Sequence, residues 1–562
     1  MYISKIRIRE FKTFDSFDLE LKDGLNILAG DNDAGKSTVL EAMHLALTAS
    51  YRGRSAAATI SEDLFNKECI EKFFEAVRAG AWPEPPKIIV EVVFEGSENV
   101  AEYRGDHNLL HADENGIGIA IELNTDEYVE DFWDYVATSD VDELPIEYYR
   151  VTRYRFDRST VFPRKIPVRS SLIDSSGLQM RQGSRAYISR SAREVLPSEH
   201  LIAIAQSHRK ARRTFNTDKN VIEANRVMSE KVRSLTQKNV SFAASMGTKD
   251  AWESSVETHL NDVPLCNAGA GSQSIISIEL ALRKVDGEKA NIILLEEPEG
   301  HLSHTKLSML LADIEDRISG NQILVSTHSS YVANKLMLNR LVWIDGSETN
   351  DLSGLSDATA RFFSKIAGYD TLRLLFSKGA ILVEGDSDEL VVQKVYMDNH
   401  EGRLPIMDGL EVISVGTSFL RFFELAKAMG KPVVAITDND GDLKSIRRKY
   451  EGYLILGTED TSSGLTDRIA VSFPQRLLKK GEIDSYSYNT LEPELFEVNT
   501  LEGVNLILGR SFKTRDEALN FMRNNKVECA MRFFEYKAPI EVPPYIEIAL
   551  DFIESACDDA GL

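Results

Sequence analysis

An α/β architecture in two parts follows from three observations on the sequence. The apolar strand Leu25-Asn26-Ile27-Leu28-Ala29 runs into a glycine-bounded loop and then a helix in which Leu40, Met43, His44 and Leu47 recur at helical spacing. Strand–loop–helix alternation returns at Asn291 to Leu295 and at Gln322 to Ser326. A third block starts near Thr371, with Ala380-Ile381-Leu382-Val383 and Pro432-Val433-Val434-Ala435-Ile436 as its strands. Alternation of this kind predicts parallel sheets with helices on their faces. Between the blocks, residues 150 to 262 read as long polar helices, including Ser198 to Gln237, and the turn-rich Gly346 to Asp351 marks a break at 346–375. The expected domains are therefore 1–150 with 263–346, an insert at 151–262, and 371–562.

A chain of 562 residues is too long for one core. No apolar run approaches the roughly 20 residues needed to span a bilayer. The start, Met1 to Arg9, alternates apolar and charged residues and reads as an edge or half-buried strand, not the apolar core of a signal peptide. Cys69, Cys266, Cys529 and Cys557 match no disulfide framework or zinc spacing, so a reduced cytoplasmic protein is expected, with no membrane partner. The net charge of -23 opposes general adhesion to polyanions. Residues 146–240 nevertheless hold 20 Lys/Arg against 8 Asp/Glu. Arg150, Arg153, Arg155, Arg158, Arg164 and Lys165 form one cluster, and Arg209, Lys210, Arg212 and Arg213 another. Either these are solvated faces or they form a local basic surface that steers DNA.

Gly30-Asp31-Asn32-Asp33-Ala34-Gly35-Lys36-Ser37-Thr38 is a complete G-x-x-x-x-G-K-[ST] loop between a strand and a helix. Its glycines let backbone N–H groups wrap phosphates at a helix N-terminus. Lys36 would reach the outer phosphates of ATP, Ser37 would hold Mg²⁺, and Gly30, Asn32, Gly35 and Thr38 complete the cradle. Ile292-Ile293-Leu294-Leu295-Glu296-Glu297 is an apolar strand ending in carboxylates. Glu296 would support the magnesium through water and Glu297 would activate the attacking water. His328, ending the strand before Ser329, is placed to sense the γ-phosphate.

These pieces resemble the ABC-type ATPases of the SMC and RecF group. That group has a signature loop which completes the site of the opposite subunit in a head-to-head dimer. The matching segment is Gly269-Ala270-Gly271-Ser272-Gln273, with Gly271, Ser272 and Gln273 as the nucleotide-facing residues and Ala270 where a serine is usual.

Glu384-Gly385-Asp386-Ser387-Asp388 follows one apolar strand, and Asp438-Asn439-Asp440 follows another some fifty residues on. Period-two geometry puts Asp438 and Asp440 on one side of an extended chain. If the strands are parallel neighbours, the carboxylates converge at the sheet's carboxyl edge, where open α/β sheets bind ligands. Carboxylate oxygens suit Mg²⁺ or Mn²⁺, and two such ions can drive phosphodiester hydrolysis. The bland reading is that these acids cap helices.

The pair E-G-x-x-D and D-x-D resembles the Toprim domain, a Rossmann-like α/β fold. A P-loop ATPase followed by Toprim resembles the OLD (overcoming lysogenisation defect) nuclease family, with Glu296-Glu297-Pro298-Glu299-Gly300-His301-Leu302 as a further marker. The resemblance implies an ABC-type ATPase with a helical dimerisation insert followed by a Toprim nuclease domain. It also implies a metal site at Glu384, Asp388, Asp438, Asp440 and Glu492, with Glu384 and Lys537 among the catalytic residues beside Glu297 and His328. ATP, Mg²⁺ or Mn²⁺, DNA, a homodimer or higher homo-oligomer, and a helicase-like or retron partner in anti-phage defence are its implied cofactors, partners and setting. A topoisomerase would need a tyrosine-bearing module and a primase a zinc ribbon, and neither is evident. The competing reading is an SMC/RecF-like DNA-sensing ATPase without nuclease activity.

Overall fold

The computed structural model describes the chain apart from residues 97, 139–142, 160, 162–165, 167, 175–197, 237–241, 244–258, 283–289, 317–319, 337, 366–369, 458–467, 479–486 and 559–562. It forms two compact units, residues 1–329 with 344–349 and residues 330–343 with 350–562. The last crossing, between Thr349 and Asn350, falls in the turn-rich segment, but the chain already enters the second unit at 330–343, where Trp343 is buried against Phe376, 5.2 Å between ring centroids, with the Lys431 amine 4.9 Å from its ring.

In the first unit β1 (Tyr2–Phe11) pairs antiparallel with β2 (Phe14–Glu20) and with β4 (Ile88–Glu95), so it is an interior strand and not an edge. Its interior position explains Arg7, which is buried and met by Glu91 at 3.5 Å and Glu114 at 2.7 Å. β5 (Glu114–Leu123) extends this layer from β4. The second layer is parallel. Its strands β7 (Val168–Asp174), β8 (Ala290–Glu296), β9 (Asn321–Thr327) and β3 (Leu25–Ala29) lie side by side in that order. β3 delivers the phosphate loop, and α1 (Lys36–Thr48) follows it with ten buried residues.

Two strands fall inside the segment read as a helical insert. β6 (Tyr149–Arg155) pairs antiparallel with β5, and β7 pairs parallel with β8, from Val168↔Ala290 to Asp174↔Glu296. The insert at 151–262 is thus too wide, because its first strands complete the sheets of the ATPase layer pair. Among the described residues the helical part is α2 (Ser198–Thr217) and α3 (Lys219–Thr236).

β6 carries three cations of the first basic cluster, Arg150, Arg153 and Arg155. Arg153 is drawn inward and donates to the Ala46 and Leu47 carbonyls at 2.9 and 3.0 Å, at the C-terminal turn of α1, where a cation opposes the helix dipole. Burial lowers its pKa to about 10. Arg150 binds Asp126, Arg158 binds Asp106 at 3.2 Å, and Arg155 binds Asp157 at 3.2 Å while lying over Tyr103. Arg153 and Arg155 are thus structural cations, whereas Arg150 and Arg158 keep 35% and 68% of their side chains exposed in surface ion pairs. Arg164 and Lys165 lie outside the described residues. On α2, Arg209, Lys210 and Arg213 are exposed and Arg212 is half-buried.

Gly35 is required twice over. Its φ of 93° is left-handed, and a Cβ there would sit 2.3 Å from the Phe14 ring. Gly35→Ala is expected to cost about 2 kcal/mol in strain and to abolish binding of a fluorescent ATP analogue. An unfolding midpoint and an affinity equal to those of the parent would show that Phe14 yields freely.

The second unit is a five-stranded parallel sheet in the order β11-β10-β12-β14-β13, made of β10 (Gly379–Val383), β11 (Leu410–Ser414), β12 (Val433–Ile436), β13 (Leu454–Ile455) and β14 (Ile469–Ser472). Ile381, Val383, Val434 and Ala470 pack into one core with Leu491, Leu495, Phe533 and Ile546 from the helices. No helix among the described residues is long and apolar enough to cross a membrane.

Candidate functional sites: a phosphate loop and a carboxylate cluster

In the phosphate loop Lys36 folds back so that its amine donates to the Gly30 and Asp31 carbonyls at 2.9 and 2.7 Å. Burial lowers its pKa, against the pull of Glu297, Asp31, Asp33 and Glu299. Thr38 is tied to Thr13 of the β1–β2 turn, 3.2 Å between hydroxyls, Ser37 is half-buried and Asn32 is exposed. A Cβ on Gly30 would stand 2.3 Å from the Ile344 carbonyl, so the loop is packed from behind.

Glu296 ends β8, and the chain then turns sharply, with Glu297 at a φ of 45° and its N–H donating to the Ser326 carbonyl at 3.0 Å. This puts the Glu297 carboxylate 3.3 Å from Nδ1 of His328. Glu299 was not singled out for a role in the sequence, yet it organises this corner. Its Oε1 accepts from the Thr327 hydroxyl at 2.6 Å and from the His328 and Ser329 N–H groups at 3.2 and 3.1 Å. The fourth residue of E-E-P-E was the available signal. The signature segment opens α4 (Ala270–Leu282), where Gln273 donates to the Ala268 carbonyl at 2.7 Å and Ser272 lies half-buried in the first turn. A Cβ on Gly271 would meet the His301 carbonyl at 2.4 Å.

In the second unit β10 and β12 are adjacent and parallel, with Leu382 opposite Ala435, so Glu384 comes level with Thr437 just past the strand ends. The Thr437 hydroxyl and the Asp438 N–H (3.3 Å) both donate to Oε1 of Glu384. β12 ends at Ile436, so a turn and not strand periodicity places the aspartates: Asp438 points into the cluster, while Asp440, at a φ of 45°, is exposed at its rim. Asp388 lies in the first turn of α5 (Asp386–Asn399) and accepts from the Gly385 N–H at 3.1 Å. It is therefore a helix cap and a member of the cluster at once. Glu492 is buried at the start of α7 (Leu491–Leu508).

The amine that meets these acids belongs to Lys526, not Lys537. Lys526 opens α8 (Lys526–Glu535) and stands 2.9 Å from Oε1 of Glu492. Burial depresses its pKa, but the Glu492 pair outweighs this and the net shift is upward. Lys537 is exposed beyond the far end of α8. Its neighbour Ala538 accepts from Lys394 at 3.2 Å, and the Ile540 N–H donates to Asp398 at 3.1 Å. These bonds pin that stretch to the last turns of α5, roughly 15 Å along the axis from Asp388 at 1.5 Å per residue.

Burial and the neighbouring Glu384 and Glu492 raise Asp388 to about 7. Burial together with Asp388, Glu384, Glu492 and Asp440 puts Asp438 well above the carboxylate range. Acids crowded this closely around one amine suit a divalent cation. Among the described residues no three of them form a ligand set, and Asp388 and Glu492 accept from Gly385 and Lys526.

A pH dependence follows. Both carboxyls hold protons in the folded, metal-free protein at pH values where the unfolded chain has released them. Their contribution to stability is therefore greatest in acid and declines as pH rises above about 4, that of Asp388 being lost through about 7. Mg²⁺ binds the ionised forms, so the midpoint gain it gives grows with pH. Thermal unfolding in EDTA and in Mg²⁺ at about pH 6 and about pH 8 checks this, and an equal gain at both would refute it.

The fold and the two sites define a P-loop ATPase joined to a Toprim-type metal-binding domain. A family model for the AAA domain matches residues 5–297, just over half of the chain, and one described as overcoming lysogenization defect protein-like, Toprim domain matches residues 375–440. The chain belongs to the AAA-domain ATPases and carries the OLD-like Toprim domain. It is similar to the endonuclease GajA of Bacillus cereus, 24% identical over 285 residues, covering 49% of this chain and 48% of that protein. It is also similar to the OLD nuclease of Thermus scotoductus, 31% identical over 199 residues, covering 31% of this chain and 35% of that one. The chain thus matches about half, or less, of the length of these relatives. A solved structure of the C-terminal region of the Xanthomonas campestris OLD protein aligns with 33% of the chain at 24% identity and a TM-score of 0.24.

Proposed function

We propose that the protein is a divalent-metal-dependent DNA endonuclease whose Toprim site is gated by ATP at the phosphate loop, acting as a homodimer in the cytoplasm. The observation that carries this reading is the gathering of Glu384, Asp388, Asp438 and Glu492 around Lys526 at the carboxyl edge of a parallel sheet. Glu384, Asp388, Asp438 and Glu492 would hold Mg²⁺ or Mn²⁺, with Asp440 within reach at the rim. Bound there, the ions supply Lewis acidity to the scissile phosphate and lower the pKa of water. Thr437 and the Asp438 N–H orient Glu384, and Lys526 offers its charge to the oxyanion that develops at phosphorus. In the first unit Lys36 and Ser37 would grip ATP and Mg²⁺. Glu297, beside His328 and steadied by Glu299, would position the attacking water. A role in defence against foreign DNA rests on the family resemblance.

The test is incubation with supercoiled plasmid in Mg²⁺, Mn²⁺ or EDTA, with and without ATP. Nicking or linearisation that needs the metal supports the reading, and Lys36→Ala then shows whether nucleotide promotes or restrains cleavage. ATP hydrolysis with intact plasmid under every condition would move the assignment to a DNA-sensing ATPase.

A further inference from the structure

Arg150, Arg153 and Arg155 are paired within the first unit, and the exposed Arg209, Lys210 and Arg213 of α2 also belong to that unit, so the cations beside the carboxylates are the second unit's own. The carboxylate cluster itself repels a polyanion, and the Lys526 amine beside it is paired with Glu492.

Two features beside the cluster answer this. α6 (Leu443–Lys449) begins three residues after Asp440, is capped by Asp442 through the Lys444 and Ser445 N–H groups, and turns Ile446 inward. Its exposed face carries Lys444, Arg447, Arg448 and Lys449. Cations in the last turn of a helix are ordinary dipole partners, so this face alone decides nothing. The second feature does. Asn439, the residue between the two aspartates, is 2% exposed and donates from Nδ2 to the carbonyls of Pro474 and Arg476 at 2.8 and 2.9 Å. The backbone of Arg476 is thereby fastened to the D-x-D turn. Its side chain remains 60% exposed, yet its guanidinium is held at 3.4 Å by Glu494, whose own side chain is 2% exposed. Glu494 follows Glu492 by two residues on α7, and its other oxygen is buried with no hydrogen-bond partner. Burying such a carboxylate is costly unless it fixes something. Its partner here is one exposed guanidinium, on a residue whose backbone is tied to the D-x-D turn. Arg447 joins helix to loop through Gln475 at 2.9 Å.

We propose that Arg476, with Lys444, Arg447 and Arg448 of α6, forms a cationic rim that holds the DNA backbone beside the Toprim carboxylates, with Arg476 positioning a phosphate next to the scissile one. The planar guanidinium fork suits phosphate oxygens, and its anchor on Glu494 fixes the angle of approach. The inference rests on the nuclease reading and deepens it.

The experiment uses the full chain and two readouts: anisotropy of a short labelled duplex in Ca²⁺ across a salt series, and plasmid cleavage in Mg²⁺. Arg476→Ala is expected to raise Kd about tenfold and to lower the slope of log K against log salt by about one. Arg476→Lys should restore the slope but not the cleavage rate, since it returns the charge without the fork. The exposed pair Lys444→Ala/Arg448→Ala should lower the slope by about two with an unchanged thermal midpoint, which keeps the test open if Arg476→Ala folds poorly. A parent that cuts plasmid, with all three variants matching it in Kd, slope and rate, overturns the rim alone. A parent that binds duplex but never cuts overturns the nuclease reading, and the slopes still decide the rim. A parent that binds no duplex overturns the rim.

Discussion

Glu384→Gln should lower metal-dependent plasmid cleavage by about a thousandfold or more while leaving ATP binding at the phosphate loop unchanged. The amide keeps the size of the side chain and can still accept from Thr437 and the Asp438 N–H, so the fold is preserved. What it removes is one negative charge from a group crowded by Asp388 and Asp438, and with it, on the proposed reading, a metal ligand. The same change should let Asp388 and Asp438 ionise at lower pH, since Glu384 raises both. Cleavage by Glu384→Gln at the parent's rate would remove Glu384 from the metal site and with it the reading of this cluster as catalytic. Thr437→Val is the graded companion: the carboxylate stays but one of its two donors is lost, and a fall of about 10- to 100-fold is expected, as for loss of a group that orients a metal ligand.

Lys526→Ala is the second large effect, a loss of about a hundredfold in kcat, whereas Lys537→Ala should stay within about twofold of the parent. The contrast is sharp because the two lysines occupy opposite ends of α8. One sits on Glu492 and the other lies beside the stretch fastened to Lys394 and Asp398. Lys526→Ala also leaves Glu492 without its cationic partner, so the variant should bind Mg²⁺ no more weakly than the parent in a thermal-shift titration while cutting far more slowly. Weaker Mg²⁺ binding with normal turnover at saturation would make Lys526 a structural counter-ion, and a deficit confined to Lys537→Ala would reverse the assignment.

The contrast between these lysines also shows where the sequence was legible. The phosphate loop, the E-E-P-E corner and the E-G-x-x-D/D-x-D pair could be read because the chemistry forces residue types at fixed spacing beside an apolar strand. The parallel pairing of β10 with β12 followed from the same strands. Lys526 carried no such mark: it reaches Glu492 through the packing of α8 on α5, and Lys537 has a similar local setting. The Arg-rich stretch from Tyr149 to Arg155 misled for a related reason. A count of charges does not say which way side chains point, and here they point at α1 and at Glu122, Asp126 and Asp157. Arg476 was silent because its significance comes from Asn439 and Glu494, 37 and 18 residues away.

The contact between Gly271 and His301 has a mechanical consequence. With no side chain at Gly271, the signature helix lies against the loop that follows the paired glutamates without slack, and close-packed interfaces of this kind transmit displacement instead of absorbing it. On the proposed reading, the part of the first unit that would face a second copy thus lies directly against the loop beside its own nucleotide site. Filling the phosphate loop of one copy would be felt at the surface it shows the other.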